Sequence, residues 1–492
     1  MPRVSTREIK YKIKNMEVKQ FINGKWVNAI GNGSAQLINP ATEEVISDIS
    51  FGNGEDCIIA IDAATAAFKT WGKTTPYFRA EILKKAAQYI RDNVLEMAND
   101  MVNESGKPLA EAKGEWMVAA NLFEWYAEEG KRACGKTIPT NRIDKRSFTS
   151  WQPMGVVGVI TAWNFPAYNP ARAWAAALAA GCTVVAKPSE NTPLAGLHMA
   201  KALVHAGLPD GVLNVLIGDA ASIGDAMLKH PQLKKISFTG STRVGKILMD
   251  GASITHTKLS LELGGNAPVI IYDDVDVAAL AKTAALAKFR NNGQVCIAPQ
   301  RFYVQEKIYQ EFADLLSVEV AKLKIGNGFE EGVQLGPLIT SKQKQHVVDL
   351  LQTADIENAS ILTGGKMPEH LSKGYFLQPS VVADLQQSSV LAHNEIFGPV
   401  LPLFSFNNME EVIAKANDTP YGLSAYIFTN NIKTALNTAQ QVEFGMVGIN
   451  EWTPHGTELP FGGFKQSGQG HESGSEGLYE YLELKLISIG GL

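Results

Sequence analysis

Cysteine is scarce in this chain: four among 492 residues, at positions 57, 134, 182 and 296, with no C-x-x-C pair. That spacing excludes a zinc knot or a disulfide framework and suits a reducing compartment, the cytoplasm. An excess of basic charge is also missing. The formal net charge is -5 and no Lys/Arg-rich run occurs, so no nucleic-acid partner is expected. Long apolar runs are absent too. The most apolar stretch, "AWAAALAAGCTVVA" between Arg172 and Lys187, falls short of the roughly 20 residues that span a bilayer, and no membrane association is expected. It reads instead as a buried helix running into a buried strand. The mildly basic N-terminus lacks an apolar core for a secretion signal, and Met16 is a candidate natural start with a loose arm before it.

Several familiar signatures are missing. G-x-S-x-G and H-E-x-x-H do not occur, nor does the G-x-G-x-x-G dinucleotide fingerprint. "GSTRVGKI", Gly240 to Ile247, nearly spells the phosphate loop of NTPases, but Ile247 stands where a hydroxyl must hold magnesium. What survives is a strand-to-helix turn whose free N–H groups, with Ser241 beside them, suit either a phosphate or a plain cap. No cluster with metal-ligand spacing occurs, so no metal is expected.

What is present is an ordered texture. Apolar residues recur at helical spacing over Glu55–Trp71, Tyr77–Glu104 and Glu111–Lys131, which predicts a mostly helical first third apart from a short strand near "QFINGKWV". After Trp151, β-rich runs alternate with helical ones from "GVVGVITAW" to "KKISFTG", implying parallel strands joined by crossover helices. A second α/β region runs from "KLSLELGGNAPVIIY" to about Pro460, with strands at "RFYVQ", "LPLFSF" and "AYIFT". The tail "EGLYEYLELKLISIGG" alternates like a strand seeking a partner outside its own domain. No internal repeat or low-complexity tract is found.

A free cysteine is usually a small buried hydrophobe, and Cys57, Cys134 and Cys182 are read that way. Cys296 differs. "FRNNGQVC" surrounds it with amides and a glycine that allows close backbone approach, which suits a partly exposed nucleophilic thiol. Glu262 in "LELGGNAP" is a candidate general base beside flexible glycines, or else a surface charge at a strand end. Asn164 in "WNFP" is a candidate oxyanion donor, or else a cap before Pro166.

"WNFP", "KPSENTP", "FTGSTRVG", "LELGGNAP", "GQVC", "EIFGPV" and "PFGGFKQSG" occur in that order, and from about residue 20 onward the chain resembles the aldehyde dehydrogenase superfamily. The resemblance implies two Rossmann-like α/β domains, one for cofactor (1–132 with 152–261) and one catalytic (262–460). It also implies a small β oligomerisation flap (133–151 with 461–492) and a homodimer or homotetramer. It implies that Cys296 attacks an aldehyde, that Asn164 and the Cys296 N–H hold the oxyanion, and that Glu262 activates the water that hydrolyses a thioester. Lys187 and Glu190 then bind the adenosine ribose. Trp163, Ser241 and the turn from Gly240 to Gly245 lie by the pyrophosphate, and Glu395 and Phe397 hold the nicotinamide end. Ile160, Gly218, Gly224 and Leu263 complete the cofactor set. A carboxylate at 190 accepts bonds from ribose hydroxyls and repels a 2′-phosphate, so NAD is expected over NADP, which a rotated glutamate would still admit.

Among subfamilies the chain looks closest to succinate-semialdehyde dehydrogenases, in which arginines at the places of Arg172 and Arg290 bind the substrate's remote carboxylate. Either arginine is otherwise a structural ion pair. The sequence departs from that subfamily at Cys296-Ile297-Ala298, where many relatives have a second cysteine, and in "NEWTPHGTELPFGG". Glu451, Trp452 and His455 of this loop are expected to border the substrate, which leaves glutarate and 2-oxoglutarate semialdehydes, or another polar or aromatic aldehyde, as alternatives. A cysteine hydrolase without nicotinamide is the rival from another class.

Overall fold

The structure, a computed structural model, describes residues 18–357 and 359–492, so the candidate start at Met16 lies outside the described residues. The larger sheet is centred on five strands: β1 (Val156–Ile160), β2 (Thr183–Lys187), β3 (Leu213–Val215), β4 (Leu233–Thr239) and β5 (Lys258–Glu262). Their order is β3-β2-β1-β4-β5 and each neighbouring pair is parallel. Helices Tyr168–Ala180, Pro193–His205, Ala220–Lys229 and Thr242–Thr255 make the crossovers. With helices to cover both faces, β1 and the Val184–Ala186 centre of β2 read as continuous runs of valine, isoleucine, glycine and alanine rather than as alternations.

The chain steps outward from β1 to β3, then returns past β1 to lay β4 on its other side. That reversal opens a crevice at the carboxyl ends of β1 and β4, where open α/β sheets take their ligands. A hairpin of Gln20–Ile22 and Lys25–Val27 extends the sheet beyond β3, and Gly468–Gln469 extends it beyond β5.

A second sheet contains β6 (Ala267–Ile271), β7 (Pro299–Gln305), β8 (Ser360–Thr363), β9 (Ser380–Ala383), β10 (Val400–Phe406), β11 (Ser424–Phe428) and β12 (Met446–Ile449), in the order β8-β9-β10-β7-β6-β11-β12. Only β8 runs antiparallel to its neighbour. Side chains alternate between two apolar clusters: Val269 and Ile271 enter one, Ile270 the other. In the third sheet Leu482–Gly490 pairs antiparallel with Lys145–Pro153, which also pairs with Thr137–Ile138. The tail strand therefore finds a partner within its own chain. Its outer edge has no strand neighbour among the described residues, and Leu484 and Leu486 on it are exposed.

Three expectations need correction. Helical spacing over Tyr77–Glu104 resolves into two helices, Pro76–Asp92 and Val94–Ser105, because Asn93 leaves helical geometry (φ -111°, ψ 16°) and turns its side-chain amide onto the Tyr89 carbonyl. A second hairpin, Gly33–Ile38 with Val45–Phe51, precedes the helices; its polar, half-exposed strands carry little apolar periodicity. Cys57 and Cys182 are buried, but Cys134 is exposed, since the short helix Gly130–Arg132 releases the chain into the outlying third sheet.

Candidate active site

The amide-rich turn before Cys296 is built from residues that tolerate left-handed backbone: Asn291 (φ 47°), Asn292 (φ 57°) and Gly293 (φ 73°). Only glycine fits the third place, where a Cβ would lie 2.2 Å from the Gly398 carbonyl oxygen. Hydrogen bonds then lock the turn. Asn291 donates from Nδ2 to the carbonyls of Asn164 (2.9 Å) and Gln294 (3.2 Å), Asn292 to that of Gly336 (3.0 Å), and Gln294 Oε1 accepts from the Ile339 N–H (3.0 Å). Cys296 emerges half-buried on the wall of a cavity of about 280 Å³.

Asn164 lies beyond the end of β1, buried. Its Oδ1 accepts from Asn169 Nδ2 (3.1 Å), which fixes the amide orientation and leaves Nδ2 as the donor, aimed at the Gln294 carbonyl (3.2 Å) two residues before the thiol. Its own carbonyl accepts from Lys107 Nζ (3.0 Å), and Lys107 forms a fully buried ion pair with Glu115. The other Glu115 oxygen takes the N–H groups of Ala167 (2.8 Å) and Tyr168 (3.1 Å) at the start of the following helix. Nothing in the sequence signalled Lys107, Glu115 or Asn169, and Gln294 stood out only as one amide of the turn before Cys296. They are ordinary polar residues whose meaning arises only where the chain crosses itself.

Glu262 ends β5, 4% exposed, with Oε2 unpaired. Burial first, then the nearby Glu472, holds its carboxyl well above the usual range, with Arg172 opposing. The glycine pair after it serves close approach rather than flexibility. A Cβ at Gly265 would sit 2.3 Å from the Cys296 carbonyl oxygen, and one at Gly264 2.6 Å from Glu395 Oε2. The link from β5 to β6 thus runs against the Cys296 backbone. Burial pushes the Cys296 thiol up to about 12; Arg172 opposes this, while Glu262 and Glu395 add to it. Glu262 thus lies within electrostatic reach of the Cys296 sulfur, and the Asn164 amide lies against the turn that carries it.

Arg172 and Arg290 both line the cavity, with Phe165, Tyr168 and His455. Arg172 is buried beside Glu472, Nε to Oε2 2.9 Å but off the hydrogen-bonding line, and Nη2 reaches Asn169 Oδ1 at 3.3 Å. Its Nη1 has no partner. The ion-pair and ligand readings of this residue are therefore both accommodated. Arg290 stacks over the Phe165 ring (5.4 Å to the centroid). The loop expectation needs correcting in part. Trp452 packs into the second domain's core against Phe428 (ring centroids 4.3 Å apart), and Glu451 is exposed and accepts from the Thr453 hydroxyl (3.0 Å); only His455 lines the cavity.

Several of the expected cofactor residues stand at or beyond the carboxyl ends of the strands beside the crevice. Ile160 ends β1, Lys187 ends β2 and pairs with Glu190 (2.6 Å), and Trp163 meets Phe397 edge-on (5.4 Å). Ser241 caps helix Thr242–Thr255, accepting from the Val244 N–H. Gly245 lets that helix approach Leu263, to which a Cβ would come within 2.7 Å, and Gly224 is buried with nothing within 4 Å of where its Cβ would be. Glu395 accepts from the Gly265 N–H (3.0 Å), and burial raises its carboxyl to about 7. A helix N-terminus held at the switch point by a glycine contact, with open space beside Gly224, fits a dinucleotide. Gly218 and Gly240 have structural reasons of their own. A Cβ at Gly218 would meet the Gly52 carbonyl oxygen at 2.0 Å, and one at Gly240 the Phe238 ring at 2.4 Å.

Comparison with known proteins agrees with this arrangement. The chain is 43% identical over 477 residues to the mitochondrial succinate-semialdehyde dehydrogenase of Arabidopsis thaliana, covering 97% of this chain and 90% of that one. It is 42% identical over 469 residues to the glutarate-semialdehyde dehydrogenase of Pseudomonas putida, covering 95% and 97%. A crystal structure described as an E. coli NADP-dependent enzyme superposes with a TM-score of 0.95 at 40% identity, covering 96% and 98%. The profile of the aldehyde dehydrogenase family matches residues 26–487, the span that holds both sheets, the crevice and the thiol, and the chain belongs to that family.

Proposed function

We propose that this enzyme oxidises an aldehyde bearing a remote carboxylate to the corresponding diacid, with succinate semialdehyde first and glutarate or 2-oxoglutarate semialdehyde as alternatives. The observation that carries the reading is the cavity itself, which places Arg172 and Arg290 on the same wall system as Cys296. A guanidinium fork suits capture of a carboxylate.

Cys296 Sγ, deprotonated, forms a bond to the carbonyl carbon, and the oxygen gains the charge. Asn164 Nδ2–H and the Cys296 N–H hold that oxyanion. A bound nicotinamide supplies the acceptor for the hydride whose loss turns the thiohemiacetal into a thioester. Glu262, whose burial makes it a willing proton acceptor, takes a proton from water as the oxygen attacks. The C–S bond then breaks, releasing the acid and restoring the thiolate. Lys187, Glu190, Trp163, Ser241, Glu395 and Phe397 hold the dinucleotide. We take NAD as the preferred form because Glu190 would repel a 2′-phosphate, although its exposed side chain leaves room for NADP by rotation.

We further propose the domain division 1–132 with 152–261, 262–460, and a flap of 133–151 with the C-terminal strand. The open edge of Leu482–Gly490 would be covered in a homodimer or homotetramer. Four free cysteines suit a reducing cytoplasm, and among the described residues no helix is long and apolar enough to cross a membrane.

The test is to incubate protein and NAD with a panel of semialdehydes, with and without CoA, and follow nicotinamide reduction. Glu262→Gln should accumulate the thioester on Cys296, visible by mass spectrometry. NAD left oxidised by every aldehyde, with simple esters still cleaved, would instead favour a cysteine hydrolase.

A further inference from the structure

The cavity wall carries a polar atom that no described residue of the protein uses. His455 Nε2 is buried without a hydrogen-bond partner, although its ring lines the same cavity as Cys296, Arg172 and Arg290. A buried imidazole nitrogen left unpaired is costly unless a ligand or water meets it.

The ring is held in place rather than free to turn away. Tyr168 and Phe461 flank it, with centroids 6.4 and 6.3 Å distant. Its loop is anchored upstream by Trp452 in the core and by Asn450, whose side chain accepts from the Thr429 N–H (3.1 Å) and donates to the Thr429 carbonyl (2.9 Å). Burial, then Arg290 and Arg172, lowers the imidazole to about 4, so it is neutral near pH 7 and can carry its one proton on Nε2.

Uncommitted donors stand on this wall among the described residues. Arg172 Nη1 has no partner. The two carboxylates that also line the cavity are already engaged: Glu111 accepts from the Asn291 N–H, and Glu115 holds Lys107 and the helix start at Ala167. Donors left without partners, beside carboxylates already engaged, suit an anionic acceptor.

We propose that His455 donates from Nε2–H to the terminal carboxylate of the aldehyde, as a third donor beside Arg290 and Arg172 Nη1, and so sets the preference for carboxylate-bearing over neutral aldehydes. This rests on the carboxylate reading of the substrate given above.

The experiment measures kcat/KM at saturating NAD for succinate semialdehyde, glutarate semialdehyde and butanal, in the wild-type enzyme and in His455→Leu and His455→Gln. One hydrogen bond to a charged group predicts that the semialdehyde-to-butanal ratio falls about tenfold or more in His455→Leu, mainly through KM, and is partly restored in His455→Gln, whose amide again offers a donor. An unchanged ratio in His455→Leu, or equal losses on both aldehyde types, overturns the proposal while leaving the carboxylate reading intact. A wild-type enzyme with no preference for semialdehydes over butanal overturns both.

Discussion

Replacing Lys288 by methionine should stabilise the protein, by an amount that depends on pH. Lys288 lies on the helix Val277–Phe289, fully buried, and its Nζ meets no hydrogen-bond partner among the described residues. Burial lowers the ammonium from 10.5 to about 7. Below about pH 7 the amine is protonated in both folded and unfolded chains, and the whole penalty of a buried charge is present. Between about 7 and 10.5 the unfolded chain binds the extra proton, so stability rises with pH across that window. At about 1.36 kcal/mol per pKa unit, the drop from 10.5 to about 7 corresponds to about 5 kcal/mol. Methionine keeps most of the stem and removes the charge. With about 2.1 cal/mol/K of unfolding entropy per residue over 492 residues, the gain in Tm is about 5 °C near pH 6.5 if the chain melts as one unit. Calorimetric scans of wild type and Lys288→Met from pH 6 to 10, at one scan rate, read it directly. The difference should shrink steadily as pH rises. A variant that melts no higher than wild type at pH 6.5, or whose gain is flat with pH, refutes the reasoning.

Three further outcomes follow from the site. Asn164→Ala removes one oxyanion donor, worth roughly 3 kcal/mol of barrier, so kcat should fall about a hundredfold or more; steady-state kinetics showing less than a fivefold loss would remove Asn164 from the oxyanion role. Glu190→Ser should raise kcat/KM for NADP relative to NAD, and an unchanged ratio would place the cofactor ribose elsewhere. Alkylation of the native protein should label Cys134 first, while Cys57 and Cys182, pushed by burial up to about 12 and about 11, react only after unfolding. Peptide mapping of the same reaction should show Cys296 labelling accelerate about tenfold per pH unit from 7 to 10, because its thiolate is scarce throughout that range.

Much of this molecule is local and therefore readable. The alternation after Trp151 predicts parallel strands because each buried strand and each crossover helix writes its own period into contiguous residues. Cys296, Glu262 and Asn164 stand out because strand ends and a left-handed turn need particular neighbours: two glycines after Glu262, and Asn291, Asn292 and Gly293 before the thiol. The break at Asn93 and the hairpin Gly33–Phe51 escaped because one residue's backbone geometry, or a half-exposed strand, leaves little periodic trace.

The sequence by itself determined the family, the strand-helix rhythm and the candidate reacting groups, since these are properties of short contiguous segments. Only the tertiary structure decided what those groups face. It placed Lys107 under the Asn164 carbonyl, set Glu472 against Arg172 across 300 positions, packed Trp452 against Phe428 and left His455 Nε2 without a hydrogen-bond partner among the described residues. Such contacts arise from the packing of distant segments, in which charge, burial and hydrogen bonding depend on neighbours that no stretch of chain contains.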